Sequence, residues 1–137
     1  MLSIIDSTFA SPVNQRPLEF GVDLVMESAT KYLGGHSDVT AGMLAGPRAL
    51  LDGLRTTRRL LGTVIEAEPA WLLARSVKSV EVRVRRHNEN ALAVAEWLSA
   101  DERVTRVLYP GLSSHPDHEI ARAQMRGFGG MVTFDLG

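Results

Sequence analysis

At 137 residues, with 45% hydrophobic and 23% charged residues and a formal net charge of −1, the chain is long enough for one domain with a core. Its charge balance gives no electrostatic reason to expect nucleic acid or an anionic membrane as a partner. No apolar run approaches the roughly 20 residues of a membrane span, the opening Met1-Leu-Ser-Ile-Ile-Asp6 has no basic signal region, and the absence of cysteine removes disulfides, thiolate metal ligands and a cysteine nucleophile.

The apolar residues 2–5, ending at Asp6, predict a buried strand with a carboxylate at its C-terminal end. A polar, proline-containing loop covers residues 7–17, then a short helical turn around residues 18–20 closed by Gly21. Residues 22–26 are a second buried strand, with Ser28 to Lys31 at its end. Residues 41–45 are a third, fenced by Gly42 and Gly46. From Ala49 the pattern turns helical, with Leu50, Leu51, Leu54 and Leu61 on one face and Arg55, Arg58 and Arg59 on the other. Leu73, Val77, Val80, Val84, Ala91, Val94 and Leu98 keep three-and-four spacing for about seven turns, which predicts one long helix bent near His87-Asn88. A strand over 104–109, a short helix opened by Pro116-Asp117, a turn at Gly127 to Gly130 and a last strand over 131–136 complete the chain. The fold class is α/β, with a domain boundary inside the long helix near Arg83 to His87. Apolar strands at both ends predict a fragment of a longer protein.

In α/β sheets ligands bind outside the carboxyl ends of strands, where Asp6 and Ser28 to Lys31 both fall. A lysine in a polar loop is ordinarily a solvated surface charge. Here a buried strand precedes it, Ser28 and Thr30 flank it, and Gly34-Gly35 allow close backbone approach. Hydroxyls and free backbone N–H groups suit a phosphate. His115 and His118 make a poor metal site without further ligands and are expected to cap and open the helix after Pro116. Trp71 and Trp97 are expected to pack.

Asp23-Leu-Val-Met-Glu-Ser28-Ala-Thr30-Lys31-Tyr-Leu-Gly-Gly35-His36-Ser37 resembles the lysine signature of the Cys/Met metabolism pyridoxal-phosphate enzymes, the cystathionine synthase and lyase family. Asp6-Ser-Thr8-Phe-Ala-Ser-Pro12 with Gln15-Arg-Pro-Leu18, Ala70-Trp-Leu-Leu73, His87-Asn-Glu-Asn-Ala91, Tyr109-Pro-Gly-Leu112 and Gly127-Phe-Gly-Gly130 extend the resemblance over essentially the whole chain. It implies part of a fold-type I pyridoxal-phosphate transferase, with residues 1–85 in the later part of the large cofactor domain and 86–137 opening the C-terminal domain, both incomplete. It implies pyridoxal 5'-phosphate as a Schiff base on Lys31, which then acts as general acid and base. Asp6 would pair with the ring nitrogen, supported by Thr8, and Ser28 and Thr30 would bind the phosphate. The implied activity is β/γ-elimination or γ-replacement on sulfur amino acids or homoserine esters, in a homotetramer with a small amino-acid substrate; the charge balance and the lack of a signal region and of cysteine add the expectation of a cytoplasmic protein with no nucleic-acid or membrane partner. The alternatives are a non-catalytic truncated remnant and another fold-type I activity such as transamination. The isolated chain is expected to be inactive.

Overall fold

The computed structural model describes residues 1–137, and the three early apolar runs form one sheet, β1 (Ile4–Asp6), β2 (Leu24–Ser28) and β3 (Gly42–Ala45), in that order. β1 runs parallel to β2, with Asp6 opposite Met26, and β3 runs antiparallel, with Gly42 opposite Ser28. A parallel pair cannot be closed by a tight turn. The chain therefore returns through α1 (Ser11–Asn14) and a 3-10 turn, Pro17–Phe20, ended by Gly21 at φ 84°. Both prolines sit at the first positions of these turns, where a missing N–H costs nothing. The first two strands run further into polar sequence than expected, taking in Asp6 and Ser28. Ladder hydrogen bonds come from the backbone, so side-chain polarity does not end them. Leu2 and Ile4, expected to be buried, are exposed along the β1 side of the sheet.

The chain divides into two compact units, residues 1–8 with 16–80, and residues 9–15 with 81–137. In the first, α2 (Arg48–Leu61) ends at Gly62 with φ 71°, and its Leu51, Leu54 and Leu61 border an open groove with Met26, Met43 and Leu44. The long helix predicted over 73–98 is two helices, α3 (Ala67–Ser76) and α4 (Val80–Ser99), separated by a 3-10 turn at Val77–Ser79. Helix α4 runs continuously through His87-Asn88; the break in the long helix lies where Ser79 Oγ donates to the Ser76 carbonyl at 3.0 Å. A single tighter turn leaves the three-and-four apolar spacing almost in phase, which hides it from periodicity. Trp71 and Trp97 are exposed, 64% and 63%, rather than packed.

The second unit is built on α4, whose Ala91 and Ala95 meet buried Tyr109, with Val107, Leu112, Phe128 and Val132 around them. Its strands β4 (Val104–Leu108) and β5 (Thr133–Leu136) pair antiparallel, and α5 (His118–Gln124) lies between them in sequence. An amide pair between buried Asn14 and half-buried Asn88 ties in the α1 segment. Asn14 Nδ2 donates to Asn88 Oδ1 at 3.0 Å and Asn88 Nδ2 donates to Asn14 Oδ1 at 2.8 Å. Gly129 N–H also donates to Asn88 Oδ1 at 2.9 Å, and Arg126 N–H to the Asn14 carbonyl at 2.8 Å.

A β-carbon on Gly127 would collide with the Asn88 amide and stand 2.7 Å from Asn14 Oδ1. Gly127→Ala therefore costs about 2–3 kcal/mol of stability through overpacking and a splayed amide pair. Gly53 on α2 has open space where its β-carbon would go, and Gly53→Ala stabilises by up to about 1 kcal/mol through helix propensity. Urea unfolding of the two variants of the full-length protein checks the opposite signs.

Candidate functional site

Because β1 and β2 are parallel, their carboxyl ends lie side by side, and the residues that follow them meet. Thr8 bridges the two. Its N–H and Oγ1 both donate to Asp6 Oδ1, at 2.9 and 2.5 Å, while its Oγ1 accepts from Ser28 N–H at 2.8 Å. Two hydrogen bonds to the ionised form hold the Asp6 carboxyl below its ordinary range. Asp6 is thus an exposed anion, with Oδ1 engaged by Thr8.

After Ser28 the chain makes a tight turn. Lys31 N–H donates to Ser28 O at 3.0 Å, Gly34 N–H to Ala29 O at 2.8 Å and Gly35 N–H to Lys31 O at 2.7 Å. Gly35 adopts φ 72°, and a β-carbon at Gly34 would stand 2.8 Å from the Ala29 carbonyl. The glycine pair is therefore required by this turn, one member for its backbone conformation and the other for close approach. Ala29 and Leu33 are buried and Lys31 is exposed, so the turn anchors on its apolar members and holds the lysine outward. Of the two lysines in the chain, Lys31 and Lys78, only Lys31 stands at this sheet edge. His36 Nδ1 lies 2.7 Å from the Gly34 carbonyl and 3.3 Å from Ser76 Oγ, connecting the turn to α3.

The structure brings Asp6, Thr8, Ser28 and the Lys31 turn to one edge, through the register of β1 and β2 and the Thr8 bridge. Thr30 is the exception in detail. Its Oγ1 donates to Ala41 O at 3.3 Å and accepts from Ala41 N–H at 3.0 Å, so its hydroxyl is engaged with the loop before β3. His115 Nδ1 accepts from Asp117 N–H at 3.1 Å, and His118 bonds to the Pro110 carbonyl at 2.8 Å and lies against Phe128.

Sequence reasoning missed Glu27. It is 3% exposed, and burial together with the nearby charge of Asp6 pushes its carboxyl up to about 7. The signal was available. Period-two alternation along β2 puts Glu27 on the same side as Val25 and Ala29, both buried.

Parallel strands ending side by side place an anionic carboxylate and an outward-held lysine at the carboxyl ends of the strands, where α/β enzymes bind their ligands. The chain belongs to the Cys/Met metabolism PLP-dependent enzyme family, matching it over residues 1–137; pyridoxal phosphate is that family's cofactor. It is 48% identical over 135 residues to a chloroplastic cystathionine gamma-synthase of Nicotiana tabacum, covering 98% of this chain and 25% of that protein. It is 44% identical over 136 residues to a cystathionine beta-lyase of Lactococcus lactis, covering 98% and 36%. Among solved structures, a cystathionine gamma-lyase from Lactobacillus plantarum complexed with L-serine superposes with a TM-score of 0.97 at 42% identity, over 100% of this chain and 36% of that one. A cystathionine gamma synthase from Xanthomonas oryzae in complex with aminoacrylate and cysteine gives a TM-score of 0.96 at 42% identity, over 98% and 35%. The α/β fold is therefore that of pyridoxal-phosphate-dependent cystathionine lyases and synthases. The chain spans 25% of the tobacco relative and 36% of the Lactococcus one. No helix is long and apolar enough to cross a membrane.

Proposed function

We propose that the full-length protein is a pyridoxal-phosphate enzyme of trans-sulfuration type, catalysing β/γ-elimination or γ-replacement on sulfur amino acids or homoserine esters. The family match over residues 1–137 carries the reading. The donor set supports it: an anionic Asp6, an outward-held Lys31 amine and the Ser28 hydroxyl suit a group with a basic ring nitrogen, an aldehyde and a phosphate. When bound, pyridoxal phosphate supplies an electron sink for charge developing at the substrate's α-carbon.

The chain's own residues do the rest. Lys31 Nζ would hold the cofactor covalently and its free amine would take the substrate's α-proton and return it. Asp6, held ionised, would keep a proton on the ring nitrogen, and the ring would then be electron-poor. Thr8 keeps Asp6 ionised and fixes it against the N–H of Ser28. Ser28 and Thr30 would bind the phosphate, Thr30 by releasing its long bond to Ala41 O. Residues 1–85 belong in this reading to the cofactor domain and 86–137 to the C-terminal domain. The working form is a cytoplasmic homo-oligomer, a homotetramer, acting on small amino acids.

Supplying the full-length protein with pyridoxal phosphate and cystathionine, or with a homoserine ester and a thiol, tests this. The expected result is release of a 2-oxo acid and ammonia, or formation of a new thioether. Amino-group exchange without carbon–sulfur bond change would make it a transaminase instead.

A further inference from the structure

Gly34 and Gly35 let the lysine turn fold, but they do not fix where it stands. The loop that carries Lys31 is closed at its base. Thr30 N–H donates to Ala41 O at 3.2 Å, and Ala41 N–H donates to Thr30 Oγ1 at 3.0 Å. Between these two residues Leu33 and Val39 are buried, while Lys31, Gly35, Ser37, Asp38 and Thr40 are exposed. An exposed loop containing two glycines keeps local freedom unless a side chain pins it.

His36 supplies the pin. Its Nδ1 lies 2.7 Å from the Gly34 carbonyl, which accepts from no other group. A carbonyl oxygen only accepts, so Nδ1 carries the hydrogen and donates it. Ser76 Oγ stands 3.3 Å from the same nitrogen. Facing an N–H, that hydroxyl takes the longer share of the same hydrogen. Gly34 N–H in turn donates to Ala29 O, and Gly35 N–H to Lys31 O, so a hold on Gly34 is a hold on the turn around the lysine.

Two features show that this contact is built into the fold. Directly after His36, Ser37 takes φ 59°. That left-handed conformation is unfavourable for a residue with a β-carbon and persists where the surroundings over-determine it. At the other end of the contact, α3 stops at Ser76, which is 4% exposed, and Ser79 Oγ donates to the Ser76 carbonyl. The helix break that periodicity conceals therefore falls at the residue that meets His36.

We propose that His36 is a positioning residue for Lys31: its Nδ1–H braces the Gly34 peptide against Ser76 at the end of α3, so that the outward-held amine is presented in one place instead of swinging with its loop. The proposal rests on Lys31 as the residue that takes the cofactor's aldehyde. Holding an amine where a bound aldehyde will lie raises the rate at which the two react, and a misplacement of about 1 Å costs on the order of 10²-fold.

The test mixes the full-length apoprotein with pyridoxal phosphate. The Lys31 amine condenses with the aldehyde, a carbon–nitrogen double bond forms and water leaves, and borohydride traps the product so that its rate of formation is measured. His36→Phe keeps a ring and removes the donor; it slows the condensation by about 10–100-fold in protein that urea unfolding shows to be folded. His36→Asn, which restores an N–H donor close to the place of Nδ1, recovers most of the rate. Ser76→Ala removes the brace alone and slows the condensation by less. A wild-type rate in His36→Phe overturns the proposal. So does a His36→Asn protein that is folded yet as slow as His36→Phe, because the imidazole then acts other than by donating to Gly34. Should His36→Phe fail to fold, Ser76→Ala decides, since an unchanged rate there removes the brace. Lys31→Ala separates the two readings. A reducible link that survives in it removes Lys31 as the anchor and this proposal with it, whereas loss of the link there beside a wild-type rate in His36→Phe fails the brace alone.

Discussion

Replacing Lys31 with alanine in the full-length protein leaves it folded and removes both the borohydride-reducible link to pyridoxal phosphate and the catalysis. The turn that carries Lys31 is held by its backbone and by buried Ala29 and Leu33, and the lysine side chain is exposed, so its removal spares the fold. The proton-transfer role alone is worth about 10²–10⁴-fold, and loss of the covalent hold adds to it, so kcat falls by at least about 10⁴-fold. Lys78 is the matched control, since it is the chain's other lysine and lies in the 3-10 turn Val77–Ser79. Lys78→Ala keeps the reducible link. A Lys31→Ala protein that still carries the cofactor covalently would move the anchor to another residue.

Asp6→Asn is the second large effect. Asparagine keeps an oxygen for the two Thr8 hydrogen bonds, so the sheet edge and the contact to Ser28 N–H survive. What disappears is the negative charge. A neutral amide does not hold a proton on a ring nitrogen, and losing one such preorganised electrostatic partner costs on the order of 10²–10³-fold in kcat. Cofactor content, measured by absorption after dialysis, falls less than kcat does. Equal loss of both would make Asp6 a binding residue with no share in the reaction. Thr8→Val complements it. Without the hydroxyl, Asp6 loses the larger of the causes that hold its carboxyl low, so the acid limb of the pH–rate profile moves upward.

Much of this site is legible in sequence because its chemistry is local. The lysine, its two hydroxyl neighbours and the glycine pair fall within eight residues, residues 28–35. A turn of that composition is dictated by contacts between residues three to five apart, as its hydrogen bonds show. The strands were recognisable as apolar runs, but their ends were not, because backbone pairing carries β1 through Asp6 and β2 through Ser28. The break at Val77–Ser79 escaped because one tightened turn barely alters helical phase.

By itself the sequence determined the α/β class and the family, and it named the residues proposed to carry the chemistry, since these depend on residue type and order along the chain. Only the tertiary structure decided which residues stand beside one another. The parallel register puts Thr8 against Ser28, and the Thr30 hydroxyl is drawn to Ala41. The amide pair of Asn14 and Asn88 places the segment after Thr8 in the second unit. Each is a contact between residues 11 to 74 positions apart or a consequence of burial, and neither separation nor solvent access is encoded in local order. The raised Glu27 carboxyl is the clearest instance, because its shift comes from desolvation and a charge on another strand.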